Sequence, residues 1–581
     1  MEDEENKRRL LLAGAMCLLV WSVWTTMNQK PPPPKAKAED AAVATATKSA
    51  GSPSAAIAKN GHVPSSTVAQ PASPLTVKAQ TFPYSGRVDY DDMSVPYELS
   101  FSNIGGGIES YTLSTYKERN KDNEATDVPI TLANPTSKDI NDPDGAFGQM
   151  AGISFLGDTS FTVPKRIPFE VVEKSQSMLH LRYRSPEGVV VEREYEIRPD
   201  SFELEMAVTV RNESTTPQRH QMQINSALSV TDAMTRGSGF FANFVPPPDH
   251  LQALCFSDEE VEREDYSALE EESFTFEEGV RWVAMDRQYF LSAIVSRDRV
   301  DAKCKLSARG DVAQAALIMP DEQLKPQEEK RYKFTAYLGV KKQSVLTLAD
   351  ANLEGAVDFK IMGLNLAPLC SALLWVLGMF YGFTKSWGLS ILGLTVLVKL
   401  ILFPLNQRSG KSMRAMAALR PQMEEIKEKF PDDRQRQSEE TMKLYRDHNV
   451  SLGGGCLPIL IQMPIWFALY RSLWVSVDLY QQGFLWIGDL TTRDPYWILP
   501  VTLVVVMFLQ QKMTPTTMDP AQQKMMQYTM PLIFGTMMSA LPAGLCFYIL
   551  VNTLLTIVQQ HFINKSIGPM GGPATAQEAK A

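Results

Sequence analysis

The stretch SWGLSILGLTVLVKLILFPL, Ser386 to Leu405, decides how the rest of the chain is read. It supplies about twenty mostly apolar residues in succession, the length a helix needs to cross a hydrocarbon core of roughly 30 Å. One cation, Lys399, stands inside it. Thr395, Lys399 and Asn406 fall near one face at helical spacing (i, i+4, i+11), so an otherwise apolar helix carries a single polar stripe. Charge at membrane depth is costly unless it is paired or wetted, which makes an intramembrane lysine a functional candidate. The competing reading is snorkelling, because Lys399 lies only about 9 Å of helix rise from Leu405 and its stem reaches that far.

Around this stretch the chain divides into a polar first half and an apolar second half. The net charge of −9, with no arginine-rich block, argues against direct nucleic-acid binding. Cys17, Cys255, Cys304, Cys370, Cys456 and Cys546 show no CxxC or Cys/His spacing, so neither a metal site nor a disulfide framework is indicated, and no cofactor is expected. Cys255 and Cys304 could pair if their domain is exported.

Residues 1–27 read as a cytoplasmic N-terminus and a transmembrane anchor: Lys7, Arg8 and Arg9 precede an apolar run from Leu10. The nearest A-x-A pattern, at Ala36 to Ala38, lies beyond Pro31–Pro34, so the anchor is expected to stay uncleaved. Residues 28–78, rich in Ala, Pro, Ser and Thr, form a linker that buries too little apolar area to order. Residues 79–345 alternate in short runs such as VVVEREYEI (Val189–Ile197), with turns such as Gly105-Gly106-Gly107 between them. That pattern predicts a large antiparallel β-sandwich. Its charge run, Asp258–Glu272, reads as a solvated loop or short helix, and no catalytic constellation stands out. Residues 346–385 read as a linking helix, Leu346–Phe359, followed by an interfacial helix, Leu364–Phe383, with a full span as its alternative.

Residues 386–563 form a five-helix membrane core. Inside it, 406–450 is a charged helical hairpin whose Met416, Leu419, Met423, Ile426 and Phe430 keep a 3-4-3-4 seam. Pro421 is expected to kink its first arm and Asp433 to cap the second. The hairpin carries ten Lys/Arg against one, Arg493, in the loop Val475–Asp494. The positive-inside rule therefore places the hairpin and the C-terminus in the cytoplasm and the β-domain outside. The later spans are Leu452–Trp474, Pro495–Leu509, Tyr528–Leu541 and Ala543–Phe562; residues 564–581 form a short disordered tail. The third span holds about 14 residues, roughly 21 Å of helix, short enough to thin the bilayer beside it. Gln462 sits mid-span, and Tyr548, Asn552, Thr556 and Gln559 recur at i, i+4, i+8 and i+11. That recurrence alone is a common helix-packing pattern. With Lys399 and Thr395 it suggests a polar cavity walled by three helices. None of these spans contains Asp or Glu, so the lysine would need water and the cavity would open to one side.

The strings LGGGCLPILIQMPIWFALY, DPYWILP, QKMTPTT and LPAGLCFYILVNTLLTIVQQ resemble the YidC-type membrane-protein insertases (YidC/Oxa/Alb), of the Gram-negative type with a large periplasmic domain. The resemblance is carried by Trp387–Phe562. It implies a bacterial inner-membrane protein, not an enzyme, whose hydrophilic groove opens to cytoplasm and lipid and is closed on the outer side. Its implied partners are nascent membrane proteins, the Sec translocon, the lipid bilayer, and a ribosome or targeting factor at the hairpin. Lys399 takes a position that is usually arginine in the family, which keeps the charge and loses the planar fork. Tyr548-Ile549 stands where two tyrosines are often found, and the tail is not the long basic one that would bind ribosomes. The β-domain is expected to be largely dispensable for insertion, since every intramembrane polar residue follows Ser386. Two other readings stay open: a membrane-anchored periplasmic binding protein using the sandwich, and a small-solute channel.

Overall fold

The computed structural model describes residues 78–567, apart from 121–122, 135–147, 158, 235–248, 258, 350, 362–363, 432, 449–456 and 514–519. The anchor expected at 1–27, nearly all of the linker and most of the tail lie outside the described residues.

The first half of the described chain is a β-rich domain of three main antiparallel sheets. The largest has nine strands, edge to edge Glu260–Asp265, Leu251–Ser257, Trp282–Arg287, Phe290–Ser296, Glu329–Val340, Glu203–Asn212, Val189–Ile197, Met178–Arg184 and Glu170–Lys174. A five-stranded sheet centres on Val312–Ile318, and a four-stranded one runs in chain order from Thr81–Tyr90 to Ala125–Ala133. Period-two patterning explains the outer strands: in Met93–Ser102, Val95, Tyr97, Leu99 and Phe101 are buried while Glu98 is exposed. Val189–Ile197 turns Arg193 and Tyr195 to Gly105 and Phe101, while on its other face Glu192 is buried beneath its partners Arg182 and Arg211 on flanking strands. The layers meet at Ser292, whose hydroxyl donates to Leu132 O of the four-stranded sheet at 3.0 Å. Its own carbonyl accepts from Ser226 Oγ of the five-stranded sheet at 2.6 Å.

Gly106 marks a turn that no other residue fits. Its φ is +65°, and a Cβ there would stand 2.8 Å from the Phe169 ring. The close approach lets Tyr195 Oη donate to Gly106 O at 2.5 Å, while buried Arg193 donates to Gly105 O at 3.1 Å.

Two local expectations are corrected. The charge run Asp258–Glu272 contributes an edge strand, Glu260–Asp265, before a single helical turn, Tyr266–Leu269. The linking segment is not one helix: Gln343–Leu348 is followed by a separate 3-10 turn, Leu353–Ala356, because Asn352 takes a left-handed φ of 56°.

The second half is helical. Helix α1 (Ala367–Thr384) ends on left-handed Lys385, and the chain turns back into α2 (Trp387–Ala418), with Tyr381 stacked on Trp387 at 4.1 Å. Then follow α3 (Arg420–Lys429), α4 (Arg434–Asp447), α5 (Leu457–Val475), α6 (Ile498–Met513), α7 (Pro520–Met538) and α8 (Ala543–Ile567). By length and composition α1, α2 and α8 are able to cross a membrane. Helix α2 continues unbroken from its apolar part into the hairpin, through Pro404. Pro421 does not kink an arm; it occupies the first turn of α3, where its missing N–H is no loss. Asp433 caps α4 as expected, accepting from Arg436 N at 3.0 Å. Helix α7 has 19 residues, so it is longer than the span Tyr528–Leu541 and the short-helix expectation is corrected.

Candidate functional site

Helices α2 and α8 lie side by side and run the same way. Near their starts, a Cβ on Gly544 would stand 3.7 Å from Ile391 Cδ1, and about three turns further on Lys399 Nζ donates to Thr556 Oγ1 at 2.8 Å. The polarity of this bond is fixed, because the Thr556 hydroxyl spends its own proton on Asn552 O at 2.7 Å. Lys399 is partly buried and has no carboxylate within ion-pair reach among the described residues.

The other expected residues divide into two groups. Lys399 and Thr556 are joined side chain to side chain, and Asn552 enters only through its main-chain carbonyl, which accepts from Thr556. Thr395 is fully buried one turn before Lys399, and its hydroxyl donates to Ile391 O of its own helix at 2.6 Å. Tyr548 and Gln559 lie buried on α8, and neither Tyr548 Oη nor Gln559 Nε2 has a hydrogen-bond partner among the described residues. Gln462 is half-buried on α5 and makes no side-chain bond to Lys399 or Thr556 among the described residues. Hydrogen bonding therefore links Lys399 on α2 to Thr556 on α8, and Gln462 takes no part in that link.

Burial changes along these helices. Ile391, Leu394 and Thr395 on α2 and Ala543, Cys546 and Tyr548 on α8 are closed in; Leu400, Ile401, Leu554 and Val558 are exposed. Buried residues are most frequent where α2 and α8 begin, although Leu389, Leu392 and Val396 are exposed there, and they thin out past Lys399. Ser390 and Thr553 are two further buried polar residues on these helices. Sequence reading missed them because serine and threonine in apolar spans ordinarily satisfy themselves on their own helix, as Thr553 does on Ile549 O at 2.7 Å.

The end where α2 and α8 begin is built by the loop between α5 and α6. Asp494 Oδ2 accepts from Leu499 N at 2.6 Å and caps α6. Leu490 O and Thr492 O accept from Gly544 N and Ala543 N, the first residues of α8, at 2.8 and 2.6 Å. A Cβ on Gly388 would collide with the Phe484 ring, so glycine lets the loop sit on the start of α2.

This loop is also where the β-rich domain meets the helices. Arg119 donates to Asp489 Oδ2 at 2.8 Å and to the Thr491 hydroxyl. Burial opposes the charge on Arg119, but Asp489 and the facing tyrosines outweigh it and hold its pKa above the ordinary value. Lys342 pairs with Asp478 at 2.6 Å and with Asp91 at 2.5 Å. Further along, Arg471 pairs with Asp358 at 2.5 Å. Arg119–Asp489 is buried and Lys342–Asp478 nearly so, and through them the β-rich domain touches the helical half directly. Sequence gave no sign of them, because Arg119 and Asp489 are more than three hundred residues apart.

The family described as 60Kd inner membrane protein matches residues 379–569, and the YidC periplasmic domain matches residues 94–369. A membrane protein insertase YidC of Geobacter metallireducens is 31% identical over 568 residues, 97% of this chain and 99% of its own. One of Anaeromyxobacter sp. (strain Fw109-5) is 34% identical over 484 residues, 83% of this chain and 85% of its own. A solved structure of an active YidC insertase with its first transmembrane domain resolved covers 82% of this chain and 93% of its own, at 20% identity and a TM-score of 0.34. Full-length likeness of this kind, with an all-β domain preceding a set of apolar helices, leads to one conclusion: the chain is an inner-membrane protein and belongs to the YidC family of membrane protein insertases.

Proposed function

We propose that the polar face around Lys399 is the insertion groove, wet and open toward the cytoplasm and the lipid. A polar terminus or loop of a nascent membrane protein enters it while the adjoining apolar segment slides into the bilayer. The observation that carries this reading is Lys399 itself: a partly buried cation within an apolar helix, bonded to Thr556 and without a carboxylate among the described residues. Such a group needs water or an anionic visitor. A groove offering both water and positive charge lowers the cost of moving a short, often acidic, segment partway across. Burial of the visitor's apolar segment then drives the step, with no cofactor, nucleotide or covalent chemistry.

The lining beyond Lys399 consists of Thr395, Gln462, Tyr548, Asn552, Thr556 and Gln559. Buried Tyr548 Oη and Gln559 Nε2, without a partner among the described residues, are polar groups on the same helix that still call for one. The ten cations of the hairpin support a cytoplasmic α3–α4 and an outer loop 476–497. In that orientation the half of the core past Lys399, where buried residues thin out, faces inward. The hairpin then stands ready to receive a ribosome or targeting factor, and the lipid-exposed helices to meet the Sec translocon. Replacing Lys399 by Arg and by Glu and following insertion of a substrate with an acidic translocated tail tests the reading: Arg should sustain insertion and Glu should not.

A further inference from the structure

The seam between the β-rich domain and the helices is polar at its centre, and the same loop holds three things at once. Asp489 reaches the domain through Arg119. Leu490 and Thr492 hold the first residues of α8 through their carbonyls, and Asp494 holds the start of α6. Arg119 ends the strand Ile108–Arg119 and is buried. Its guanidinium carbon lies 4.2 Å from the Tyr480 ring centroid and 5.6 Å from that of Tyr289, so aromatic faces enclose the charge. One turn of strand earlier, Lys117 O accepts from Tyr480 Oη at 2.8 Å and Gln481 Nε2 at 2.9 Å, and Lys117 N donates to Gln481 Oε1 at 3.0 Å. The domain therefore grips the loop by backbone as well as by charge.

We propose that Arg119 is a positioning residue for insertion. By holding Asp489 it fixes the loop that gathers the starts of α6 and α8, and so keeps the outer end of the Lys399 groove shut. The inference rests on the reading of an inward-opening groove given above. Helix α8 is the link, since it carries both Gly544, anchored to the loop, and Thr556, bonded to Lys399. A buried ion pair adds little net stability over apolar residues of the same shape, but removing one partner strands the other. The pair thus specifies one seating of the loop, which apolar contact alone would let slide.

The test uses the full-length chain in its membrane, free of cysteine except for a reporter. A Thr395→Cys reporter is labelled by a membrane-impermeant maleimide from the outer face of right-side-out vesicles. A Lys399→Cys reporter is labelled from the inner face of inverted ones. With Arg119 intact, Thr395→Cys should label slowly from outside and Lys399→Cys readily from inside. If the inner label does not react, the groove reading fails and this inference falls with it. Arg119→Ala should raise outer labelling at 395 by about tenfold or more, a fraction of what stranding a buried charge can cost. Asp489→Asn, which removes the charge without a cavity, should do the same, and it decides the question if the Arg119→Ala chain does not accumulate. The Arg119→Ala, Asp489→Asn double variant should be no leakier than either single one. Arg119→Lys, which keeps a cation, should label more slowly than Arg119→Ala. Outer labelling that stays within about twofold of the parent in both single variants, with inner labelling intact, overturns the proposal.

Discussion

The Lys399 ammonium on α2 donates to the Thr556 hydroxyl on α8 at 2.8 Å, and that hydroxyl is already committed as a donor to Asn552 O at 2.7 Å. The bond can only run from lysine to threonine. Thr556→Val keeps the shape and removes the acceptor, so it should slow insertion of a substrate with an acidic tail several-fold. Thr556→Ser should stay near the parent rate. Protease protection of the translocated tail measures both; equal rates for Val and Ser would detach Thr556 from the groove.

The hairpin should act as a reception site. Its arms are fastened by Tyr445 Oη donating to Met423 Sδ at 2.9 Å, the second arm is capped by Asp433, and its charged outer faces are exposed. Because α2 runs unbroken to Ala418, the clean excision is 420–447, bridged by Gly and Ser. That variant should assemble its remaining helices and insert poorly. Parental insertion rates would assign the hairpin a purely structural part. Asp433→Ala alone should cost about 1 kcal/mol of α4 stability, read from thermal melting.

Removal of residues 80–320, which sequence alone suggests is harmless, should weaken the helical core, because it takes Arg119 away and leaves Asp489 buried without its cation. Adding Asp489→Asn to the same deletion should recover part of the loss. Complementation of a depleted strain, with protein levels checked, reads the difference. Full growth with the deletion alone would mean that the seam carries no weight.

The elements legible in sequence were those written in local pattern. VVVEREYEI became a strand over Val189–Ile197 and Asp433 became a cap, and the polar residues recurring on two apolar helices include Lys399 and Thr556, a pair that sequence did not single out. What stayed hidden depended on long-range packing or on one residue's backbone. Asn352 splits the linking segment by turning left-handed, and α7 extends back to Pro520 through polar residues that a hydropathy reading discards. Gln462, at the middle of its span, pointed to the groove as strongly as Thr556 did, yet only Thr556 meets Lys399. The rotation of a helix about its axis is set by its neighbours, and a uniformly apolar span such as α5 gives no moment from which to read it.

The β-rich domain should lose stability in acid through His220. Burial among Phe155, Phe161 and Tyr332 lowers its pKa from 6.5 to about 4, with only partial opposition from Glu322 and Asp321. Between those values the unfolded chain binds a proton that the folded chain refuses, so stability falls as pH drops from about 6.5 to about 4. The full effect is on the order of 3 kcal/mol. A His220→Gln chain should show a flatter dependence of domain melting on pH over that window; an unchanged slope would place the acid sensitivity elsewhere.

The central claim is that Lys399 works by its charge in a wet, inward-facing groove. The most direct measurement is insertion of one substrate in two versions, with an acidic or a neutral translocated tail, by chains carrying Lys, Arg, Ala or Glu at 399. A charged groove predicts that Lys and Arg insert the acidic tail alike and Ala inserts it less well. Glu should fail with that tail, because attraction turns to repulsion in a low-dielectric cleft, and all four should differ far less on the neutral tail. If Glu inserts the acidic tail as fast as Lys, the charge is not the operative feature and the account is wrong.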